Sequence, residues 1–193
     1  MGSLATTLRF SGSDEVGLQM NTLSLAVAYL LDDRWTLRGG FGRVLSGTLN
    51  PENGSKQEIK PGTLYSAGIE YMALTGQGML PFVHLSAFQG GTATTIEDPI
   101  SKPESITDYT SSDLRFSGRA TWVVNNMIFP YISSSIFAGP VKWTLNGSEV
   151  TGSDIYHYQF ALGSAFQFNR LSVFMEASGI GEKTLISGLS YSW

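Results

Sequence analysis

Few residues in this chain could carry chemistry. His84-Leu85-Ser86 sets an imidazole and a hydroxyl two positions apart. On a strand that spacing puts both on one face, with Cα atoms about 7 Å apart. A serine nucleophile needs a base within hydrogen-bond reach and an acid that orients the base; the acids considered for this pair are Glu97 and Glu176. Two histidines and no cysteine make no metal cluster, so neither a metal nor a cofactor is expected. Asp32-Asp33 is a carboxylate pair confined to a short turn. The other ionisable side chains of interest are Arg9, Arg38, Glu70, Asp113, Arg115, Arg119, His157 and Glu176. They share a feature with His84 that appears only once the elements holding them are drawn.

Those elements are strands. Period-two alternation runs through most of the chain. In Ile155–Phe168, Tyr156, Tyr158, Phe160, Leu162, Phe166 and Phe168 face one way, and His157, Gln159, Ala161, Gly163, Ala165 and Gln167 the other. Similar runs cover Leu4–Gly12, Asn21–Leu31, Trp35–Leu49, Thr63–Leu74, Met79–Thr94, Asp113–Val124, a segment from Ile128 to about Leu145 bent at Gly139-Pro140, Leu171–Gly179 and Lys183–Trp193. Short turns at Asp32-Asp33-Arg34, Thr75–Gly78, Asn125-Asn126 and Asn169-Arg170 alternate with longer loops at Ser13–Gln19, Asn50–Gly62, Thr95–Ser112 and Asn146–Asp154. An internal echo supports repeated hairpins: Leu80–Gly90 aligns with Phe129–Gly139, matching Pro81, Phe82, Ser86, Phe88 and Gly90 to Pro130, Tyr131, Ser135, Phe137 and Gly139.

The bulky face is too large for the interior of a ten-strand barrel, whereas the opposite face is mostly Gly, Ala, Ser and Thr with a few charges. Packing therefore requires bulk outside and small or charged residues inside. A soluble sandwich or lipocalin-like barrel would leave the aromatic face in water. By this parity Arg9, Arg38, Glu70, His84, Asp113, Arg115, Arg119, His157 and Glu176 line the lumen. Arg38 and Glu70, one hairpin apart, are expected to pair across neighbouring strands. Such charges either form an internal salt-bridge network or set the selectivity of a small aqueous path; four arginines against three acids would then favour anions. Small inward residues such as Gly68, Gly163 and Gly188 point to unfilled volume, open to water, a ligand or the 95–112 loop as a plug. Tyr29, Trp35, Tyr71, Trp122, Phe168, Tyr191 and Trp193 gather near the short turns, as an interfacial aromatic girdle does.

The last stretch, Lys183–Trp193, ends on an aromatic, with Tyr191 two residues before it and Leu189 and Leu185 at alternate positions behind. It resembles the C-terminal strand of Gram-negative outer-membrane β-barrels. That resemblance implies that Leu189, Tyr191 and Trp193 close the barrel and are read by the barrel insertion machinery. The Pro-Phe/Tyr echo resembles upward strands of small outer-membrane barrels. His84-Leu85-Ser86 resembles the His-x-Ser pair of lipid A deacylase barrels over three residues, with Ala87 where those carry Asn, and implies chemistry on lipid. The acidic and His-Asp pairs of the omptin proteases have no counterpart here.

Composition bounds the rest. At 193 residues one domain, 1–193, is expected. Net charge of −4 argues against a nucleic-acid partner. No apolar run is long enough for a membrane-spanning helix. Met1-Gly2-Ser3 leads straight into a strand and is expected to stand where an export signal has been removed. The expectation is an all-β, antiparallel up-and-down transmembrane β-barrel of about ten strands, or eight if Leu4–Gly12 and Leu171–Gly179 stand outside it. It is placed in a bacterial outer membrane with both termini periplasmic. Its expected role is non-catalytic: a narrow porin-like channel passing small solutes, or a structural membrane protein. The alternatives are an enzyme on lipid through His84 and Ser86, and an adhesion protein whose loops 50–62 and 95–112 meet extracellular partners.

Overall fold

A computed structural model describes residues 1–10, 15–52, 55–97, 106–145 and 148–192. Its strands are β1 (Gly2–Phe10), β2 (Glu15–Leu30), β3 (Trp35–Pro51), β4 (Gln57–Ile59), β5 (Gly62–Leu74), β6 (Phe82–Glu97), β7 (Ile106–Thr121), β8 (Ile128–Ala138), β9 (Pro140–Leu145), β10 (Ser148–Asp154), β11 (Tyr158–Phe168), β12 (Leu171–Gly181) and β13 (Lys183–Tyr191). Every pairing is antiparallel, and a ring closes through ten of them: β1, β2, β3, β5, β6, β7, β8, β11, β12 and β13. The protein is an all-β antiparallel barrel.

Tight turns define one end. Asp32 Oδ1 accepts from the amides of Arg34 and Trp35 at 2.7 and 2.8 Å. Asn125 and Asn126 have φ of 52° and 54°, and Asn169 61°, the left-handed geometry that tight hairpins need and that Asn tolerates. Above these turns the outward face is a belt of exposed apolar side chains, including Leu25, Phe41, Tyr65, Phe116, Ile136, Leu162, Met175 and Leu189. This is the surface a bilayer-spanning barrel presents to lipid.

The other end departs from expectation. Four stretches expected as loops carry strand. Glu15–Gln19 opens β2, Gln57–Ile59 is β4, 106–112 opens β7, and Ser148–Asp154 is β10; residues 98–105 of the expected 95–112 loop lie outside the described set. These extensions close a second, narrower ring of β1, β2, β3, β4, β6, β7, β9 and β10. The narrowing has a simple cause. The β12–β13 hairpin turns back at Gly181-Glu182, and above it β10 pairs directly with β1, Leu8 opposite Asp154. β9 continues β8 past Gly139, where a Cβ would collide with the Ser112 carbonyl. Eight strands enclose a space that side chains just fill. Here Leu8, Phe10, Val16, Leu18, Met20, Val44, Leu49, Ile59, Ile96, Tyr109, Val141 and Trp143 fill it as one buried cluster.

Lumen glycines are not voids. Gly68, Gly163 and Gly188 stand directly opposite Phe88, Tyr131 and Phe174 on the neighbouring strands. Each aromatic ring lies where the glycine's Cβ would be. The expectation of unfilled volume over these residues is therefore corrected.

Leu162, 67% exposed at mid-belt, tests the face assignment. Leu162→Arg should cost about 2–4 kcal/mol of folding free energy in bilayers, measured by denaturant titration in liposomes. Folding equal to that of the parent would contradict a lipid-facing position.

Candidate functional site in the barrel lumen

The interior below the apolar cluster is polar, and its charges are paired. Arg38 on β3 donates through Nη2 to Glu70 Oε1 on β5 at 2.9 Å. His84 on β6 brings Nδ1 to 3.4 Å from the same oxygen. Arg119 on β7 stands opposite His84, and its Nη2 lies 3.6 Å from Glu176 Oε2 on β12. The Arg119 guanidinium also sits 4.6 Å from the Tyr131 ring centroid. These groups draw a line of alternating charge from β3 across the lumen to β12.

A second layer lies where ten strands become eight. Arg115 donates to Glu182 Oε1 at 2.9 Å and to Gln159 Oε1 at 3.0 Å, and its Nε lies 3.6 Å from Asp113. Its guanidinium covers the Phe137 ring at 4.3 Å. Gln159 passes the chain on, donating to Thr184 Oγ1 at 2.8 Å. The Glu182 side chain is 8% exposed. Gly181, with φ of 77°, makes the tight hairpin from which Glu182 turns inward. Just above, Thr6 donates to Asp154 at 2.6 Å. Burial pushes the Asp154 carboxyl above its usual range, while hydrogen bonds from Thr6 and the Tyr156 amide pull the other way.

The structure gathers Arg38, Glu70, His84, Arg115, Arg119 and Glu176 in the lumen, with Asp113 beside Arg115, and two expected members are elsewhere. Arg9 points outward, 54% exposed, and pairs with Glu15 at 2.7 Å. At this level the interior is apolar, so Leu8 and Phe10 point in and Arg9 goes to water. His157 is exposed in the connection between β10 and β11. Those strands pair with different neighbours, and the jog between them takes His157 out of the alternation. Glu182 and Asp154 went unread in the sequence because both sit beside hairpin or loop segments. The unpaired Arg115 facing the lumen was the available signal for Glu182. With Arg9 outside and these acids inside, the weak anion preference drawn from four arginines does not hold.

Glu97 is also displaced from its expected role. It lies at the top of β6, paired with Lys60, far from His84. The acid beside His84 is Glu70. Ser86 faces the lumen in register between Glu70 and Ser117, and among the described residues no hydrogen bond joins it to His84.

Of the girdle, Tyr29, Phe168 and Tyr191 are exposed at the turn end, as is Trp35, whose ring packs 4.6 Å from that of Tyr71. Tyr71 and Trp122 are half-buried. Leu189, 70% exposed, and Tyr191 face outward on the closing strand, and Trp193 lies outside the described residues. Ser192 is at the turn end, bonded to the Arg170 carbonyl. Met1 stands part-way up the wall beside Ser187.

No family model and no curated protein matches the chain. Among solved structures, it is similar to the transport unit of the autotransporter AIDA-I from Escherichia coli, with 12% identity, 100% of this chain and 88% of that one covered, and a TM-score of 0.45.

The Arg115–Glu182 pair should behave as a buried ion pair. Arg115→Leu, which strands the Glu182 charge, should lose about 3–5 kcal/mol, and Arg115→Leu combined with Glu182→Leu should recover most of that. Unfolding midpoints of the two variants in detergent would measure it; additive losses would show that the two residues act independently.

Proposed function

We propose that this protein is an outer-membrane β-barrel serving a structural, non-conducting role, with its tight-turn end toward the periplasm and its narrow, water-facing end outside. The apolar belt supports the membrane assignment. One observation carries the non-conducting role: the eight-strand ring is filled by a dry core in which Val44, Leu49 and Tyr109 are each 0% exposed. An aqueous path would have to cross that core, and none of its side chains offers an ion a charge. Below it, the paired charges act as internal struts: each is held by an opposite partner, which is how a buried charge avoids its desolvation cost.

The reading is non-catalytic. The Glu70 carboxylate beside His84 is also held by Arg38, an arrangement that fixes the imidazole as part of a scaffold. The surrounding lipid and the insertion machinery that reads the closing strand are its expected partners, and the rim of the narrow end is where any extracellular partner would be met.

Planar-bilayer recording of the refolded protein under a salt gradient tests this. Protein shown to be folded and inserted should give no discrete openings. Stepwise currents whose selectivity changes in Arg38→Ala or Arg119→Ala would establish a lumen channel and overturn the structural reading.

A further inference from the structure

Charge compensation is close to complete on the strands of this barrel, and it fails at one level. Of the described lysines and arginines carried on strands, Arg9, Arg38, Arg115, Arg119 and Lys142 each pair with a carboxylate. Arg43 on β3 and Lys183 on β13 have no carboxylate partner among the described residues, and both point outward and are exposed. They stand equally far from the turn end, eight residues along from Trp35 and from Tyr191.

That height is the upper edge of the apolar belt on this side of the wall. The outward residues just below are Phe41, Leu185 and, on β2, Leu23, all exposed. Above them β2 presents Asn21 and then Gln19 to the outside. On the far side the same height is still apolar, with Ile136 and Phe160 eight residues from Ile128 and Phe168. The belt therefore dips across β13, β1, β2 and β3, and a cation brackets each side of the dip. Between the cations the register lays Ala5 and Gln19 in one row with Lys183, and Ser3 and Asn21 in the row with Leu185. Arg43 stands opposite Leu23. The strip is small and neutral, and it carries no acid. Three strand spacings of ~4.8 Å set the two backbones about 14 Å apart, and the two long side chains reach into that span from opposite ends.

We infer that this strip binds the phosphate of an anionic lipid headgroup. Arg43 presents the planar fork that matches phosphate oxygens in pairs, and Lys183 presents a point charge. Ser3, Gln19 and Asn21 supply neutral donors between them. The acyl chains continue down the wall over Leu23, Leu25 and Leu185, so the phosphate comes from lipid and not from solution. A single cation at such an edge needs only to reach water. Two cations flanking neutral donors, on a wall where the other strand cations have carboxylates, call for an anion. The site rests on the membrane reading proposed above, and the bilayer edge supplies its ligand.

Native mass spectrometry of the full chain, refolded in an uncharged detergent, tests this. The probe is dioleoyl phosphatidate. Dioleoylglycerol has its chains without the phosphate, and inorganic phosphate has the reverse. Insertion is checked first, by protease protection in dioleoyl phosphatidylcholine liposomes. The parent should retain phosphatidate over dioleoylglycerol by roughly tenfold or more, and millimolar inorganic phosphate should not displace it. Arg43→Gln combined with Lys183→Gln should abolish the preference. Arg43→Lys combined with Lys183→Arg, which keeps both charges, should preserve it. Arg34→Gln combined with Arg170→Gln, at the opposite end, should leave it unchanged. Equal retention of dioleoylglycerol, displacement by inorganic phosphate, or a preference that survives the paired Gln variant would each overturn the proposal. A chain that does not insert would remove the membrane reading and this site with it; one that inserts without preferring phosphatidate would remove the site alone.

Discussion

The wall of this barrel passes through two solvents, and its inside and outside must exchange chemistry between them. A strand's alternation cannot change phase without a bulge, but the residues on each phase can. β2 shows the exchange in one continuous run. Its inward residues are Val16, Leu18 and Met20 at the narrow end, then Thr22, Ser24, Ala26 and Ala28 below. Its outward residues are Gly17, Gln19 and Asn21, then Leu23, Leu25, Val27 and Tyr29. The narrow end is built like a soluble barrel and the broad end like a membrane one. Everything else in the structure is an adjustment to that inversion.

The adjustment is concentrated at the taper. A ten-strand interior that must stay polar meets an eight-strand interior that must stay dry, and Arg115 stands at the junction. Its hydrophobic face is covered by Phe137, its donors are taken by Glu182 and Gln159, and Asp113 lies beside it. Below the junction, rings laid over glycines narrow the lumen without adding charge. Tyr131 does both tasks, filling the space over Gly163 and offering its face to Arg119. Side chains in this interior therefore serve packing and charge compensation together.

The broad end was legible in the sequence because lipid imposes the strongest pattern. Large residues at every second position left little choice of face for Phe160 and Leu162 or for Arg38 and Glu70. The narrow end was misread for the converse reason. Val16, Leu18 and Met20 alternate as regularly as the belt does, but their partners are Glu, Gly, Gln and Asn, and a polar stretch beside a belt strand reads as a loop. Arg9 was assigned inward on the belt's rule, in a segment where that rule had already inverted. Glu182 lay beyond any periodic argument, since a hairpin residue's direction depends on the turn; only the need of Arg115 for a partner pointed to it.

The dry core also explains what holds β1 in the wall. β1 contributes Leu8 and Phe10 to that core, each a burial worth about 1.5–3 kcal/mol, and Phe10 packs edge-on against Trp143 at 5.7 Å. Ladders to β2 along its length and to β10 at its top fix its register. Its upper half is therefore held from both sides and from within. The closed mouth and the anchoring of β1 are thus two consequences of one packing arrangement.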